Sequence, residues 1–333
     1  MKRTDPLFDT VESFFIDHMK LTRGASTGTL KSYRDTLRLF FAYAAERRAV
    51  PIERLRLIDL DVDLVLAFLN HLENARRNRV STRNCRLGAL HSFFSHVLRR
   101  HPEHAGRWAR ILAVPVKRHP AAPPRYLDPP AVQSLLRNPD RATPAGRRDY
   151  ALVLFLYNTG ARVSELTTVR FKDLLPGPSV HLYGKGRKER VCPLWPETVA
   201  SIKALHIPNG TDPEVPVFQS ARHQGLSRHG VYHILTRHAA SVHRRDPSFP
   251  KKIWPHLLRH SCAVALLQAG VDLVTIRDQL GHSSVATTGR YATSNLKLKR
   301  AALEAFWAAT GMSAPKRNRW RPSATLSQFL HSI

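Results

Sequence analysis

The chain has 333 residues, 43% of them hydrophobic, which is enough for about two domains with cores of their own. Its 52 lysines and arginines outnumber its 25 acidic residues, and the formal net charge is +27 at pH 7. This charge favours a polyanionic partner, above all nucleic acid, because a basic surface gains affinity when it displaces counterions condensed on phosphates.

Composition also excludes several classes of protein. No run of residues approaches the roughly 20 apolar positions that a membrane-spanning helix needs, and the first ten residues do not have the pattern of a signal peptide. Cys85, Cys192 and Cys262 are odd in number and far apart, so they predict a reducing cytosol and neither a disulfide framework nor a cysteine-rich metal site.

The first hundred residues contain four blocks in which apolar side chains recur at helical spacing. The blocks are marked by Phe14, Leu30, Val62 and Leu90. Asp61 and Ser81 are the expected N-caps of the third and fourth blocks. Residues 1–105 are therefore predicted to form a helical domain.

A change of composition follows. Residues 106–127 are rich in proline, alanine and arginine, and they include Pro115, Pro120, Pro123 and Pro124. Proline lacks a backbone donor and disrupts helices, so this segment is predicted to be an extended, basic linker between domains.

Residues 128–310 are predicted to form a second, mixed domain. Asp128 is placed to cap a helix, and the apolar segment from Arg147 to Thr159 is expected to be a helix that ends at Gly160. Strand-like segments at 179–183 and 189–194 flank a Gly-Lys-Gly turn, which is a hairpin signal. Helices are expected after Pro196 and Ser227, at 255–269, and at 272–280 before a glycine cap. The fold class is thus mainly α with a small β-sheet, an α+β arrangement, followed by a tail at 311–333.

Five short segments of this domain carry side chains suited to phosphate chemistry. Their candidate residues are Arg162, Lys185, His256, Arg259, His282 and Tyr291, with Glu165 and His260 as supporting residues. Arg162 follows a glycine turn, and Glu165 lies three residues later on the same helical face, where it can brace the guanidinium. Lys185 stands at the tip of the predicted hairpin, where a lysine flanked by glycines can reach into a phosphate site.

Metal and nucleotide sites are not indicated by these segments. His256 and His260 have the spacing of two metal ligands on a helix, but the zincin pattern requires a glutamate directly after the first histidine, and position 257 is leucine. The hairpin turn lacks the wider glycine spacing and the Lys-Ser/Thr pair of a Walker A loop. Neither a metal nor a nucleotide cofactor is expected.

Together the five segments resemble the tyrosine recombinase, or phage integrase, family. The resemblance extends from about residue 8 to residue 310 and rests on five motifs in this order. They are the glycine-turn Arg162 with Glu165, the Gly-Lys-Gly hairpin, the His-Leu-Leu-Arg-His segment at 256–260, Leu-Gly-His at 280–282, and the terminal Tyr291.

The resemblance implies a role for each matching residue. Tyr291 would be the nucleophile that forms a 3′-phosphotyrosine, and Arg162 and Arg259 would hold the scissile phosphate. Lys185 would protonate the departing 5′ oxygen. His256 would assist proton transfer at the tyrosine, and His282 would hydrogen-bond the phosphate.

The resemblance also implies an architecture and partners. A helical, SAM-like core-binding domain and the catalytic domain would form a C-shaped clamp on double-stranded DNA that carries a specific recombination site, without the additional arm-binding domain of some phage integrases. A homo-tetramer would assemble on two sites, with or without partner recombinases, at the nucleoid of a prokaryotic cytoplasm. The tail would dock on a neighbouring protomer, although a self-packing helix with a frayed end is an equal alternative.

Two other functions share part of this pattern. A type IB topoisomerase-like enzyme uses the same tyrosine and arginines to relax DNA, although the helical N-terminal domain argues against it. A non-catalytic DNA-binding protein derived from a recombinase is the other alternative, and the presence of all six catalytic residues argues against it. Integration, excision, transposition and dimer resolution all remain open as biological roles.

Overall fold

The chain divides into two units, Met1–Ala122 and Pro123–Ile333, in the computed structural model. The structure describes residues 6–119, 124–184, 189–205 and 212–281. Within these ranges no helix combines the length and the apolar character needed to cross a membrane.

The described part of the first unit is helical, as predicted. Its elements are α1 (Pro6–Ser13), a π-helix (Phe14–Thr22), α2 (Thr27–Arg48), α3 (Val62–Asn74), α4 (Val80–Arg100) and α5 (Ala105–Leu112). Asp61 caps α3 as expected, since its side chain accepts a hydrogen bond from the backbone nitrogen of Leu64 at 2.8 Å. The expectation for Ser81 is wrong, because α4 begins one residue earlier with Arg79 at the cap position.

Aromatic side chains fill the core of this unit. Its largest fully buried rings belong to Phe14, Phe40, Phe68, Phe93, Phe94 and Trp108. Several pairs meet edge to face, for example Phe14 with Phe93 at 5.4 Å between centroids, the arrangement that aromatic quadrupoles favour.

The segment expected to be an extended linker is helical in its first part. Helix α5 occupies Ala105–Leu112, and Trp108 and Ile111 are fully buried in the core of the first unit. The prolines that prevent helix formation begin only at Pro115, so residues 105–112 are free to follow their apolar spacing. The linker prediction is therefore wrong for this helix.

The described part of the second unit combines helices with one small sheet. Its helices are α6 (Pro129–Leu136), α7 (Pro144–Thr159), α8 (Val163–Leu166), α9 (Pro196–Lys203), α10 (Arg228–Arg245), α11 (Pro255–Gln268) and α12 (Leu273–Leu280). The strands β1 (Leu174–Leu175), β2 (Ser179–Tyr183) and β3 (Glu189–Pro193) form an antiparallel sheet in the order β1-β2-β3. The predicted pairing of the two strands is confirmed, and Tyr183 pairs with Glu189 at the end of the ladder nearest the Gly-Lys-Gly segment.

Helix α7 forms the centre of this unit, and most of its residues are buried. It ends where the sequence predicts, because Gly160 adopts a left-handed conformation with φ of 58°. Asp128 caps α6, and Gly281 ends α12 with φ of 62°. The candidate site lies where the end of α7 and the end of α12 meet.

Candidate active site

Arg162 and Glu165 form a local unit at the start of α8. The backbone nitrogen of Arg162 donates to Oε2 of Glu165 at 2.8 Å, and its Nη1 donates to Oε1 at 2.8 Å. An acidic residue at this position of a first turn satisfies backbone donors that a helix leaves unpaired. The predicted bracing of Arg162 by Glu165 is thus present, and the arginine side chain keeps 25% of its surface exposed.

Arg259 reaches the same region from α11. Pro255 occupies the first turn of that helix, and Arg259 follows about one turn later with only 2% of its surface exposed. Its Nη1 donates to the carbonyl of Gly160 and its Nη2 to the carbonyl of Leu280, both at 2.6 Å. Its fork therefore joins the end of α7 to the end of α12.

The last carbonyls of α12 hold three different arginines. Arg162 Nη2 donates to the carbonyl of Gly281 at 2.8 Å, beside the Arg259 contact with Leu280. The carbonyl of Gln279, one residue earlier, accepts from Nε of Arg190 at 2.8 Å. Helices leave their final carbonyls unpaired and carry partial negative charge at this end, so cationic donors are favourable here. The two arginines predicted from the sequence are consequently neighbours in space.

Arg190 also belongs to this cluster, although it is not among the candidate residues predicted from the sequence. It lies on β3 and donates through Nη1 and Nη2 to the two oxygens of Glu165, at 3.0 and 2.9 Å. A signal was available, because side chains alternate along a strand and Arg190 shares a face with the fully buried Cys192. A charge on the inner face of a strand requires a buried partner.

The electrostatics of the cluster keep Glu165 ionised. Burial alone would raise the pKa of Glu165, whose side chain is fully buried, but the hydrogen bonds and charge of Arg190, then those of Arg162, lower its pKa below the usual value. Burial opposes the charge of Arg190, but its hydrogen bonds to Glu165 raise the pKa of the arginine. The carboxylate of Glu165 and the guanidinium of Arg190 are therefore both charged near neutral pH.

His256 and His260 lie one turn apart on α11 with their rings 6.2 Å apart and inclined by 24°. His256 remains exposed on one side, but partial desolvation of its ring, followed by the positive charges of Arg259 and Arg162, lowers its pKa. Burial, then His256 and Arg259, lower the pKa of His260 to about 4. Both imidazoles are therefore neutral near pH 7.

Three of the predicted catalytic residues, Lys185, His282 and Tyr291, lie outside the described residues. The described chain stops at Gly184 on one side of the hairpin and resumes at Glu189, and it ends at Gly281, the residue before His282. The geometry thus brings together Arg162, Glu165 and Arg259, and the charges of both arginines act on His256.

Family models match the sequence in the order of the two units. The model of the phage integrase N-terminal, SAM-like domain matches residues 13–101, and the phage integrase family model matches residues 125–297. The y4rC protein of Sinorhizobium fredii is 41% identical over 337 residues, which cover all of both chains. The tyrosine recombinase XerC of Pelobacter propionicus is 32% identical over 87% of this chain and 92% of its own.

Solved structures share the fold. The XerH site-specific recombinase bound to a palindromic difH substrate has a TM-score of 0.67 at 21% identity, over 86% of this chain and 82% of that chain. The Tn1549 transposon integrase in complex with a circular intermediate DNA has a TM-score of 0.68 at 15% identity, over 88% and 98%.

These matches define a recombinase in which a SAM-like N-terminal domain is followed by an integrase catalytic domain. The chain belongs to the phage integrase family of tyrosine recombinases, enzymes that cut and rejoin DNA.

Proposed function

We propose that this chain is a site-specific recombinase that cuts and rejoins double-stranded DNA through a 3′-phosphotyrosine bond to Tyr291. The observation that carries the proposal is the convergence of Arg162 and Arg259 on neighbouring carbonyls at the end of α12. In the sequence that end leads directly into His282, and Tyr291 follows nine residues later. Adjacent guanidinium forks match the geometry and charge of a phosphodiester.

In the proposed reaction, Oη of Tyr291 attacks the scissile phosphorus and the bond to the 5′ oxygen breaks. Arg162 and Arg259 hold the non-bridging oxygens and stabilise the charge of the pentacoordinate transition state. Lys185 donates a proton to the departing 5′ oxygen, which is otherwise a poor leaving group. The phosphotyrosine conserves the energy of the broken bond, so attack by a 5′ hydroxyl rejoins DNA without ATP.

The histidines complete the proton transfers. Free tyrosine has a pKa of about 10, so its hydroxyl requires assistance near neutral pH. The lowered pKa of His256 supports its proposed role as the acceptor of this proton, because it is in the neutral form. His282 donates a hydrogen bond to the phosphate, and His260 packs against His256 and fixes its ring. The two guanidinium groups supply positive charge that a metal ion would otherwise provide, so we expect activity in the presence of a chelator.

The proposed partner is double-stranded DNA with a specific recombination site. The net charge of +27 supports it, as do the DNA substrates bound by the XerH and Tn1549 proteins. We assign DNA binding to the helical N-terminal domain and cleavage to residues 128–310. Four copies would act together on two sites. Their reaction would integrate, excise or transpose a mobile element, or resolve dimers.

The C-terminal tail is assigned to contacts between protomers. Residues 311–333 lie outside the described residues and carry a basic stretch followed by an apolar end. Deletion of residues 312–333 should prevent higher-order assembly on DNA while leaving binding of a single site intact. Gel-filtration and light-scattering measurements on the DNA complexes test this, and unchanged assembly would show that the tail packs in cis.

The central experiment captures the covalent intermediate. The protein is mixed with nicked duplexes from a random pool and from the DNA flanking its gene, so that cleavage releases a short flank and traps the adduct. Adducts that survive detergent are recovered and sequenced. We expect adducts on a limited set of sequences with the wild type and none with Tyr291→Phe.

Each alternative gives a different result. A topoisomerase-like enzyme would form adducts with little regard to sequence and would relax supercoiled DNA as a monomer. A non-catalytic DNA-binding protein would form no adduct on any duplex. An adduct that persists in the Tyr291→Phe variant would place the nucleophile elsewhere.

A further inference from the structure

Arg190 connects the catalytic hairpin to the arginine cluster. It lies on β3, five residues after Lys185, and its side chain is 9% exposed. Its guanidinium binds three acceptors on two other elements: both oxygens of Glu165 near the start of α8 and the carbonyl of Gln279 near the end of α12. One side chain thus fixes the carboxylate and the helix end that also hold Arg162.

Arg190 and Arg162 share the carboxylate of Glu165 unequally. Arg190 binds both oxygens through its two terminal nitrogens, whereas the side chain of Arg162 contacts only Oε1. Arg190 also has the larger effect of the two in lowering the pKa of Glu165. A guanidinium has five N–H donors, and the two side-chain contacts described for Arg162, with Glu165 and Gly281, use one donor on each terminal nitrogen. The remaining donors and the exposed part of the side chain suit an external oxyanion.

The close packing of Arg190 against Gly281 is a second, independent observation that links Arg190 to the end of α12. A Cβ at this position would lie 3.1 Å from Nη1 and 3.3 Å from Cδ of Arg190, and its φ of 62° also favours glycine. The turn before His282 therefore has a shape that admits the Arg190 side chain against its backbone.

We propose that Arg190 is a positioning residue that keeps Arg162 available to the scissile phosphate by saturating Glu165 and fixing the end of α12. The inference rests on the proposed function. Without Arg190, the buried carboxylate would have Arg162 as its remaining guanidinium partner and would bind it through both oxygens. Because a bidentate pair is both strong and directional, Arg162 would turn toward Glu165 and away from the DNA.

The test measures single-turnover adduct formation on a captured duplex, together with DNA affinity. Arg190→Gln should form the adduct on the order of 100-fold more slowly, the scale expected for a misplaced catalytic group, with unchanged affinity. Removing the competing charge as well, in Glu165→Gln/Arg190→Gln, should restore the rate at least about tenfold, because the two residues are in direct contact. Arg170→Gln is the matched control: it removes an arginine paired with the exposed Glu214 and should retain the wild-type rate.

On the ordinary duplex, either a wild-type rate for Arg190→Gln or a double variant no faster than Arg190→Gln would overturn the proposal. A duplex with sulfur in place of the 5′ oxygen distinguishes a defect in proton donation by Lys185 from a defect in the arginines, because a thiolate leaves without a proton. Arg190→Gln should remain slow on this duplex. Full recovery there would mean that Arg190 acts through Lys185, which also contradicts the proposal.

Thermal unfolding of each variant shows whether it is folded. If Arg190→Gln does not fold, Arg190→Lys keeps the charge but cannot bind two oxygens and a carbonyl at once. Its rate should be reduced and should rise when Glu165→Gln is added, and the absence of a rise would reject the proposal. Failure of the proposed function itself is distinguishable, because the wild type would then form no Tyr291 adduct.

Discussion

Gly160 and Leu280 approach each other so closely that a methyl group on Gly160 would lie 2.3 Å from Cδ2 of Leu280. The carbonyls of the same two residues both accept hydrogen bonds from Arg259. The ends of α7 and α12 are thus in contact, and the guanidinium that joins them is a candidate ligand of the phosphate. Any side chain at position 160 would have to displace the Leu280 side chain next to the carbonyls that Arg259 holds.

Replacement of this glycine tests the contact. Gly160→Ala should lower the free energy of unfolding, both because φ is 58° and because Leu280 must move, and it should also slow adduct formation. Gly270→Ala is the matched control, because Gly270 has φ of 85° but nothing within 4 Å of the added methyl group. The control measures the loss of unfolding free energy that comes only from placing alanine in a left-handed backbone conformation, about 1–2 kcal/mol. Equal losses of unfolding free energy for the two variants, measured in urea, would show that the Leu280 side chain moves aside without cost.

Removing the Glu165 carboxylate while its arginine partners remain should strongly reduce the free energy of unfolding. Glu165→Ala leaves Arg190, with 9% of its side chain exposed, without its carboxylate, and we expect a loss of about 3–5 kcal/mol in the free energy of unfolding. Glu214→Ala removes a carboxylate that binds Arg170 and Lys172 at the surface and should have a much smaller effect. Comparable losses of unfolding free energy for Glu165→Ala and Glu214→Ala, measured by chemical unfolding, would contradict this prediction.

The protein should lose stability as pH falls from about 6.5 toward 4. Burial, followed by the charge of His18 and of nearby arginines, lowers the pKa of His96 to about 4, and His260 has the same value. Because the unfolded histidines have a pKa of about 6.5, the unfolded state binds more protons within this window and is favoured as pH falls. At pH values well above 6.5 these groups contribute little pH dependence, since the imidazoles are then neutral in both states.

A substitution identifies the histidine responsible in the first unit. Ser13 Oγ accepts from Arg100 at 2.6 Å and lies 2.9 Å from Nε2 of His96, an arrangement that suits a neutral imidazole accepting the hydroxyl proton. His96→Gln should therefore reduce the slope of the unfolding free energy against pH between 6.5 and 4. An unchanged slope would assign the acid sensitivity to other groups.

Helix α5 should behave as part of the core of the first unit. Trp108→Ala removes a fully buried ring, and we expect a loss of about 3–5 kcal/mol in the free energy of unfolding. Val116→Ala, four residues after the helix ends, changes a side chain that is 62% exposed and should have little effect. A small effect of Trp108→Ala would restore the interpretation of this segment as a linker.

Local sequence signals predicted much of the described architecture. Gly160 and Gly281 end their helices in left-handed conformations, Asp61 and Asp128 cap theirs, and β2 and β3 pair in antiparallel orientation. These features depend on residues within a few positions of one another. Prediction fails where nearby signals conflict. Ser81 has the side chain of a helix cap although α4 starts at Val80, and the prolines from Pro115 onward favour a linker although residues 105–112 form α5.

The family and the residue types that the chemistry requires follow from the sequence alone, because they depend on identity and order along the chain. Which atoms meet depends on the folded structure. The end of α12 binds arginines that are 21, 89 and 119 residues away in the sequence, on α11, on β3 and before α8. No local pattern specifies that convergence, because it arises from packing of distant elements around unpaired carbonyls. For this reason motifs predict Arg162 and Arg259, whereas strand alternation marks Arg190 as inward-facing and its partners are evident from its contacts.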